Sequence, residues 1–176
     1  MANVLYAREF SVDVPSIVSA GHDLVVANRA RDAIDMIKDK DFNFDAYLLG
    51  MVMVGDWCDV SEVEKLYEDK MDFSDQMSEM RKEFGELPVD YMLKYDSIST
   101  EYKRSLDVKA GEMVFNCLRQ EEILGSVPIL FWTSFAKDSP VCVSDKRDLV
   151  SVLDIPVSGE KLKAWFDGVS SYVDNK

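Results

Sequence analysis

The feature that most constrains the fold is an apolar run over residues 46–54, broken only by Gly50. A run of this length and composition is typical of a strand buried on both faces, followed by its exit loop. The preceding segment, residues 28–38, has apolar residues at helical spacing. The pair therefore predicts a helix followed by a central parallel strand, which is the repeating unit of an α/β fold.

Four other short apolar segments predict further strands around the central one. Helical patterns separate them, beginning with a short helix between Asp13 and Gly21 and ending with a helix that Ser158 caps. Short links between alternating strands and helices imply right-handed crossovers, and so a parallel sheet with helices on both faces. We predict one α/β domain over residues 1–176, built on a doubly wound five-stranded parallel sheet. The four other predicted strands cover residues 3–7, 24–27, 127–134 and 149–153.

Residues 56–108 do not fit the alternating pattern and predict a helical insertion after the third strand. Ser61 and Glu64 form a capping-box signature, helical spacing restarts near Ser74, and residues 85–88 form a turn. The segment therefore predicts a hairpin of two or three helices. Its fifteen acidic and seven basic residues give a net charge of −8, most of the −13 of the whole chain.

Several of these segments resemble the receiver domain of two-component response regulators. Residues 44–55 resemble the family's third strand and loop, "FDLVLLDxxMPGxxG", and residues 127–134 resemble its fourth strand, "VPIIxLTA". Residues 109–119 are similar to the family's "DGxExxxxLR", and residues 155–157 stand where the family has "KPV". The resemblance implies a flavodoxin-like or receiver-like sheet with strand order 2-1-3-4-5.

In that family the residue after the paired leucines of the third strand is the aspartate that accepts phosphate. The resemblance places Gly50 at this position, Arg8 and Glu9 at the acidic pair after the first strand, Thr133 at the hydroxyl of the fourth strand, and Ile155 at the lysine. A glycine has no carboxylate, and a divalent metal ion needs several oxygen ligands. These positions therefore predict a vestigial site without phosphorylation, bound metal or cofactor.

Two interpretations stay open for each of the polar groups near this site. Thr133 is either a relic of the switch or a hydroxyl bonded to nearby backbone. Arg8 and Glu9 form either a salt bridge that fills the emptied pocket or, when Arg8 is released, a site for an anion. Asp56 and Asp59 either supply carboxylates to a relocated metal site or belong to a solvated loop.

The insertion is rich in methionine and tyrosine, which suit adaptable contact surfaces. These side chains either pack the inserted helices on each other and on the sheet edge, or face a protein partner or a second copy of the chain. Because the insertion leaves from the loop after Gly50, we also expect it to lie over the former active site and hold the fold in one conformation. The candidate partner-binding residues are Tyr67, Met77, Met80, Tyr91, Tyr95 and Tyr102.

Composition argues against several classes of partner and location. The net charge of −13 disfavours nucleic acid and anionic membranes as partners, and no apolar run approaches the ~20 residues of a membrane-spanning helix. The N-terminus lacks the pattern of a signal peptide. Cys58, Cys117 and Cys142 show no CxxC spacing, which suits a reducing cytoplasm.

These features predict a cytoplasmic, non-catalytic pseudo-receiver that acts as a protein-interaction or signalling module. No nucleophile or metal-binding motif accompanies His22, so the sequence offers no specific reason to propose an enzyme. The alternative is a small-ligand sensor that uses the emptied pocket near Arg8, Gly50 and Thr133. A third interpretation, a flavodoxin-like enzyme, requires a bound flavin, so a colourless purified protein would count against it.

Overall fold

The predicted central strand lies in the middle of a five-stranded sheet. The computed structural model describes residues 1–9, 21–123, 126–133, 150–154 and 159–175. In chain order the elements are β1 (Asn3–Ala7), β2 (Asp23–Ala27), α1 (Ala30–Lys38), β3 (Ala46–Gly50), β4 (Met53–Val54), α2 (Val60–Phe84), α3 (Val89–Arg104), β5 (Leu106–Asp107), α4 (Ala110–Gln120), β6 (Ile129–Thr133), β7 (Val150–Asp154) and α5 (Gly159–Asp174).

The main sheet has the order β2-β1-β3-β6-β7, and all of its neighbouring strands run parallel. Counting the strands of this sheet alone, the order is 2-1-3-4-5, which confirms the predicted topology. Every residue of β3 is buried, as expected for a parallel strand with helices on both faces. The short strands β4 and β5 pair in a separate two-stranded sheet where the predicted insertion begins and ends.

Alternating side chains of the strands divide the core into two layers. Leu5, Leu49 and Phe131 lie in the layer that packs against α1 and α4. Val4, Tyr6, Leu48 and Leu130 lie in the opposite layer, which packs against α5. Residues 46–50 therefore include no polar side chain facing solvent, because β3 contributes to both layers.

Two predicted strands have different ends in the structure. The fourth predicted strand begins at Ile129, two residues late, since Pro128 has no N–H to donate to a ladder. The last strand covers Val150–Asp154 and so extends one residue beyond the predicted end at residue 153, while residue 149 lies outside the described residues. The predicted helix at residues 13–21 lies largely outside the described residues, and Ser158 lies outside them too.

The predicted insertion contains a hairpin of two helices. Residues Val54–Asp107 form one compact unit, and the remainder of the described chain forms another. The predicted restart at Ser74 is wrong: α2 continues for 25 residues, because no Gly or Pro interrupts its helical spacing. Its N-cap is Asp59, whose carboxylate accepts from the N–H groups of Ser61 and Glu62, instead of the predicted capping box.

Aromatic and cationic side chains fill the seam between α2 and α3. The ring centroids of Tyr67 and Tyr102 are 5.7 Å apart, and those of Phe73 and Tyr91 are 5.6 Å apart. Lys70 lies 4.9 Å over the Tyr102 ring, and Lys94 on α3 lies 4.5 Å over the Phe73 ring. Each helix thus places a lysine over an aromatic ring of the other, which stabilises the pair by cation–π attraction.

His22 is a buried titratable group that lies just before β2. The imidazole is 5% exposed, packs on Phe166 at a centroid distance of 4.8 Å, and has no hydrogen-bond partner at Nδ1 within the described part of the chain. Burial lowers the pKa of His22 below its ordinary value of 6.5, the charged amino terminus lowers it further, and Asp167 opposes the shift. The folded protein therefore favours the neutral imidazole.

We expect the free energy of unfolding to fall as the pH drops below 6.5 and through the lower pKa of folded His22. The sign follows because the unfolded chain binds the proton more readily than the folded chain does in this range. Urea unfolding at pH about 7.5 and about 5.5 measures the change. In His22→Phe, which keeps a ring against Phe166, the decrease should be smaller; an equal decrease in both proteins would contradict the assignment.

Candidate functional site

The carboxyl ends of the parallel strands meet at one edge of the sheet, where open α/β sheets place their sites. Arg8 and Glu9 follow β1, Gly50 ends β3 and Thr133 ends β6. In the strand register Gly50 lies beside Trp132, and Thr133 lies beside Asp154. The fold therefore brings four of the sequence-predicted positions to one edge, and Ile155 lies outside the described residues.

The Arg8 side chain occupies the space that a side chain at position 50 would need. A Cβ atom built on Gly50 would lie 2.8 Å from Cγ of Arg8, 3.3 Å from its Cβ and 3.5 Å from the carbonyl oxygen of Ala7. The first distance is well below an ordinary carbon–carbon contact of about 3.5–4.0 Å. Position 50 is thus both without a carboxylate and without room for one while Arg8 holds this conformation.

A second close approach fixes the backbone just after Gly50. A Cβ atom on Gly111, in the first turn of α4, would lie 2.2 Å from the carbonyl oxygen of Gly50 and 2.7 Å from Cα of Met51. The N–H of Gly111 donates to the carbonyl oxygen of Met51 at 3.1 Å. Helix α4 therefore packs directly on the main chain of the strand end, which only a residue without a side chain permits.

Arg8 and Glu9 form a partly buried ion pair beside this glycine. Nε of Arg8 lies 3.6 Å from Oε2 of Glu9, and their side chains are 17% and 21% exposed. Burial raises the pKa of Glu9 above its ordinary 4.5, while the Arg8 charge acts in the opposite direction. The sequence left open either a salt bridge or an anion site at this pair. In the structure the guanidinium of Arg8 lies next to the carboxylate of Glu9.

Asn28 holds the main chain of this ion pair in place. Its side-chain amide donates to the carbonyl oxygens of Arg8 at 3.1 Å and Glu9 at 2.8 Å, and the N–H of Arg8 donates to Ala27 at 3.0 Å. Asn28, where the predicted helix of residues 28–38 begins, does not cap that helix, since Arg29 is the cap residue and makes no side-chain cap bond. The amide bonds the carbonyls beyond the end of β1 instead.

The ion pair makes stability depend on pH in a defined direction. Because the pKa of Glu9 in the folded state exceeds 4.5, the folded state binds the proton more tightly than the unfolded chain does. The free energy of unfolding therefore falls as the pH rises from 4.5 through the higher pKa of folded Glu9. Arg8→Met removes the charge that lowers the pKa of Glu9, so the fall should become larger and extend to higher pH. Urea unfolding between pH about 4.5 and about 7.5 measures it.

A matched control for this prediction is Arg31→Met. Arg31 lies 4.0 Å from Asp35 in an ion pair whose side chains are 76% and 72% exposed. Exposed pairs of this kind contribute little to stability. The pH profile of Arg31→Met should therefore follow that of the unmodified protein, and an Arg8→Met profile parallel to both would contradict the role given to Arg8.

Sequence reasoning missed three residues of this edge: Asn28, Gly111 and Asp154. Gly111 stands within the motif of residues 109–119, but the motif alone does not indicate a backbone contact. Asp154 ends β7 beside Thr133, and an acid directly after an apolar segment was the available signal. Whether Arg8, Glu9, Gly50 and Thr133 are vestiges of a phosphorylation site stays a prediction.

The alternatives for metal and ligand binding stay predictions as well. Asp59 uses its carboxylate to cap α2, and Asp56 is exposed. Within the described residues no group of three or more His, Cys, Asp or Glu side chains is placed to hold a metal ion. The proposed relation of the insertion to the Gly50 edge, and a ligand in that pocket, also remain to be tested.

The six candidate partner-binding residues lie along the hairpin. Tyr102 is 6% exposed, and the other five are half-buried. Tyr67, Tyr91 and Tyr102 pack in the seam, while Met77 and Tyr95 line a groove of about 300 Å³ together with Arg81. At least three of these side chains therefore hold α2 and α3 together, and a role in partner binding stays a prediction.

None of the helices in the described ranges is long and apolar enough to cross a lipid bilayer.

Comparisons with known proteins identify the fold. No protein-family model matches the sequence, and no curated protein does. A signal receiver domain from Vibrio parahaemolyticus is similar in structure, with 13% identity, 98% of this chain and 92% of that chain covered, and a TM-score of 0.52. A response regulator receiver domain protein from Clostridium thermocellum has 9% identity, coverages of 99% and 98%, and a TM-score of 0.52. A sensor protein from Polaromonas has 12% identity, coverages of 98% and 97%, and a TM-score of 0.51. At these identities the likeness shows that the chain has the receiver-like α/β fold.

Proposed function

We propose that this protein is a pseudo-receiver: a signalling module that has the receiver fold, carries out no catalysis, and acts through contacts with protein. The observation that supports the proposal most directly is that position 50, at the edge of the sheet, is a glycine packed against the Arg8 side chain. In the receiver-like arrangement the end of the central strand is the place of the phosphoacceptor, and here it has a glycine covered by the methylenes of Arg8. Phosphoryl transfer has no nucleophile at this position.

The surrounding charges support the same proposal. A phosphoryl group needs a metal ion and cationic or hydroxyl groups around its oxygens. At this edge the described cation, Arg8, lies beside Glu9, and Glu9 is the acid that follows β1. The expected receiver arrangement of two acids after the first strand is therefore reduced to one acid and its own counter-charge.

Incubation with acetyl phosphate and Mg²⁺, followed by intact-protein mass spectrometry, tests the first half of the proposal. We expect no added phosphate on the protein under conditions that label an active receiver domain in a parallel reaction. Acid-labile phosphate on the protein would overturn the pseudo-receiver assignment. Phosphate found by peptide mapping on a residue at the Gly50 edge would locate the actual acceptor.

The second half of the proposal is that output passes through the acidic hairpin. The strongly negative charge disfavours nucleic acid and anionic membranes, while α2 and α3 expose large apolar side chains, including Phe84, Val89 and Leu93 at 67%, 62% and 62%. Affinity purification from native lysate, with the intact protein and a Leu93→Glu variant, tests this. A protein retained by the first and lost from the second supports the role, and equal recovery by both contradicts it.

A further inference from the structure

We infer that the outer face of α3 is the contact surface for a second copy of this chain, arranged as an antiparallel, two-fold symmetric helix pair. This inference rests on the proposed interaction role and names its contact. The outer face is the side of α3 turned away from the seam with α2, and it comprises Val89, Leu93, Ser97, Thr100 and Arg104. Their spacing of four, four, three and four places them on one side of a helix.

The first observation is that large apolar side chains on this face are exposed. Val89 and Leu93 are each 62% exposed, and Met92 beside them is 40% exposed. The seam side of the same helix is already occupied, since Tyr91, Tyr95, Ile98 and Tyr102 are half-buried or buried there. Helix α3 is therefore apolar on two sides in its first half, and the exposed apolar side suits a contact with another protein surface.

The second observation is the shape of the face beyond the apolar residues. A groove of about 460 Å³ runs along it, lined by Leu93, Asp96, Ser97, Thr100, Glu101 and Arg104. Ser97 and Thr100 are small, so another helix can approach closely in the middle of α3. A bulky apolar residue at one end and small residues in the centre suit an antiparallel copy. A two-fold axis at Ser97 brings the two Ser97 residues together and places Leu93 of one chain opposite Glu101, the neighbour of Thr100, in the other.

The third observation is a complementary pattern of charge. Asp90 and Arg104 stand seven residues before and after Ser97, which is about two helical turns on each side. A two-fold axis at Ser97 therefore places Asp90 of each chain next to Arg104 of the other. Such an isologous arrangement forms the ion pair twice.

The net charges of the two helices select α3 over α2 as the contact. Helix α2 has eight acidic and four basic residues, so two copies of α2 repel each other. Its acids Glu64, Glu68, Asp72, Asp75, Glu79 and Glu83 are all exposed and follow one another at helical spacing. Helix α3 has three residues of each sign and no net charge. A second copy therefore meets no net repulsion along α3.

Sedimentation equilibrium of the intact protein, over a range of concentrations, tests the inference. We expect a monomer–dimer equilibrium for the unmodified chain and at least a tenfold larger dissociation constant for Leu93→Glu. The matched control is Met71→Glu, which changes an exposed methionine on α2 (41% exposed) and should leave the equilibrium unchanged. Circular dichroism confirms that each variant keeps its helices.

A charge exchange tests the symmetry of the pair. Asp90→Arg and Arg104→Asp should each weaken the dimer, because each brings two like charges together twice. The double variant Asp90→Arg with Arg104→Asp should recover most of the lost affinity. A monomer at all accessible concentrations, or a dimer unaffected by Leu93→Glu, would overturn the inference. Neither result touches the phosphorylation test, so failure here is distinguishable from failure of the pseudo-receiver proposal.

Discussion

Gly111→Ala should lower the free energy of unfolding by about 3 kcal/mol, the upper part of the range for overpacked cores. The added methyl group would meet the carbonyl oxygen of Gly50 at 2.2 Å and Cα of Met51 at 2.7 Å. Both are main-chain atoms, one in the last residue of β3 and the other in the next residue, so neither can turn aside as a side chain would. Helix α4 must shift, and the Gly111–Met51 hydrogen bond is strained or lost. Urea unfolding followed by circular dichroism measures the change.

The matched control for this substitution is Gly168→Ala in α5. Gly168 is exposed within its helix, and a Cβ built there has nothing within 4 Å. Since alanine is the better helix former, this variant should gain about 0.5–1 kcal/mol of stability. Opposite signs for the two variants would separate steric contact from helix propensity. A gain in both would show that α4 does not lie on the Gly50 main chain.

Gly50→Ala should lower the free energy of unfolding by about 1–3 kcal/mol, and the loss should depend on the residue at position 8. The methyl group that this substitution adds would meet Cγ of Arg8 at 2.8 Å. In an Arg8→Ala background that carbon is gone and, of the two contacts with residue 8, only the 3.3 Å contact with Cβ remains, so the loss should shrink. We expect a coupling free energy of about 1 kcal/mol or more between the two sites, as for residues in direct contact.

Arg8→Met is the control that separates steric contact from charge in this cycle. Methionine retains Cβ and Cγ but has no guanidinium, so Gly50→Ala should cost as much in this background as with Arg8 present. Both backgrounds, Arg8→Ala and Arg8→Met, lose the ion pair with Glu9 equally. An identical cost of Gly50→Ala in all three backgrounds would show that Arg8 does not occupy the space beside position 50.

The main elements could be predicted from the sequence because burial imposes periodicity on it. The continuous apolar run at residues 46–54 indicates β3, since a strand covered on both faces has no polar side. Helix α3 is indicated by large side chains at helical spacing on its buried side, namely Tyr91, Tyr95, Ile98 and Tyr102. The length of α2 was underestimated because Ser74 and nearby polar residues resemble a helix start. The helix continues past them because apolar residues keep their helical spacing and no Gly or Pro interrupts it.

The candidate site could be predicted only as a set of positions. The resemblance in residues 44–55 locates Gly50 at the end of the central strand, and the same resemblance locates Arg8 after the first strand. The direction of the Arg8 side chain depends on neighbours far away in the chain. Asn28 bonds the carbonyls of Arg8 and Glu9, and this contact has no signature in the sequence around Asn28.

The sequence by itself indicated the α/β fold class and the absence of a carboxylate at position 50, and its resemblance to receiver domains implied the strand order that the structure has. Only the tertiary structure decided what fills the space at that position. Residues 8 and 50 become neighbours because β1 and β3 pair in parallel, with Ala7 beside Leu49. Residues 50 and 111 meet because α4 packs on the sheet. Such contacts arise from the packing of distant segments, and local periodicity carries no information about them.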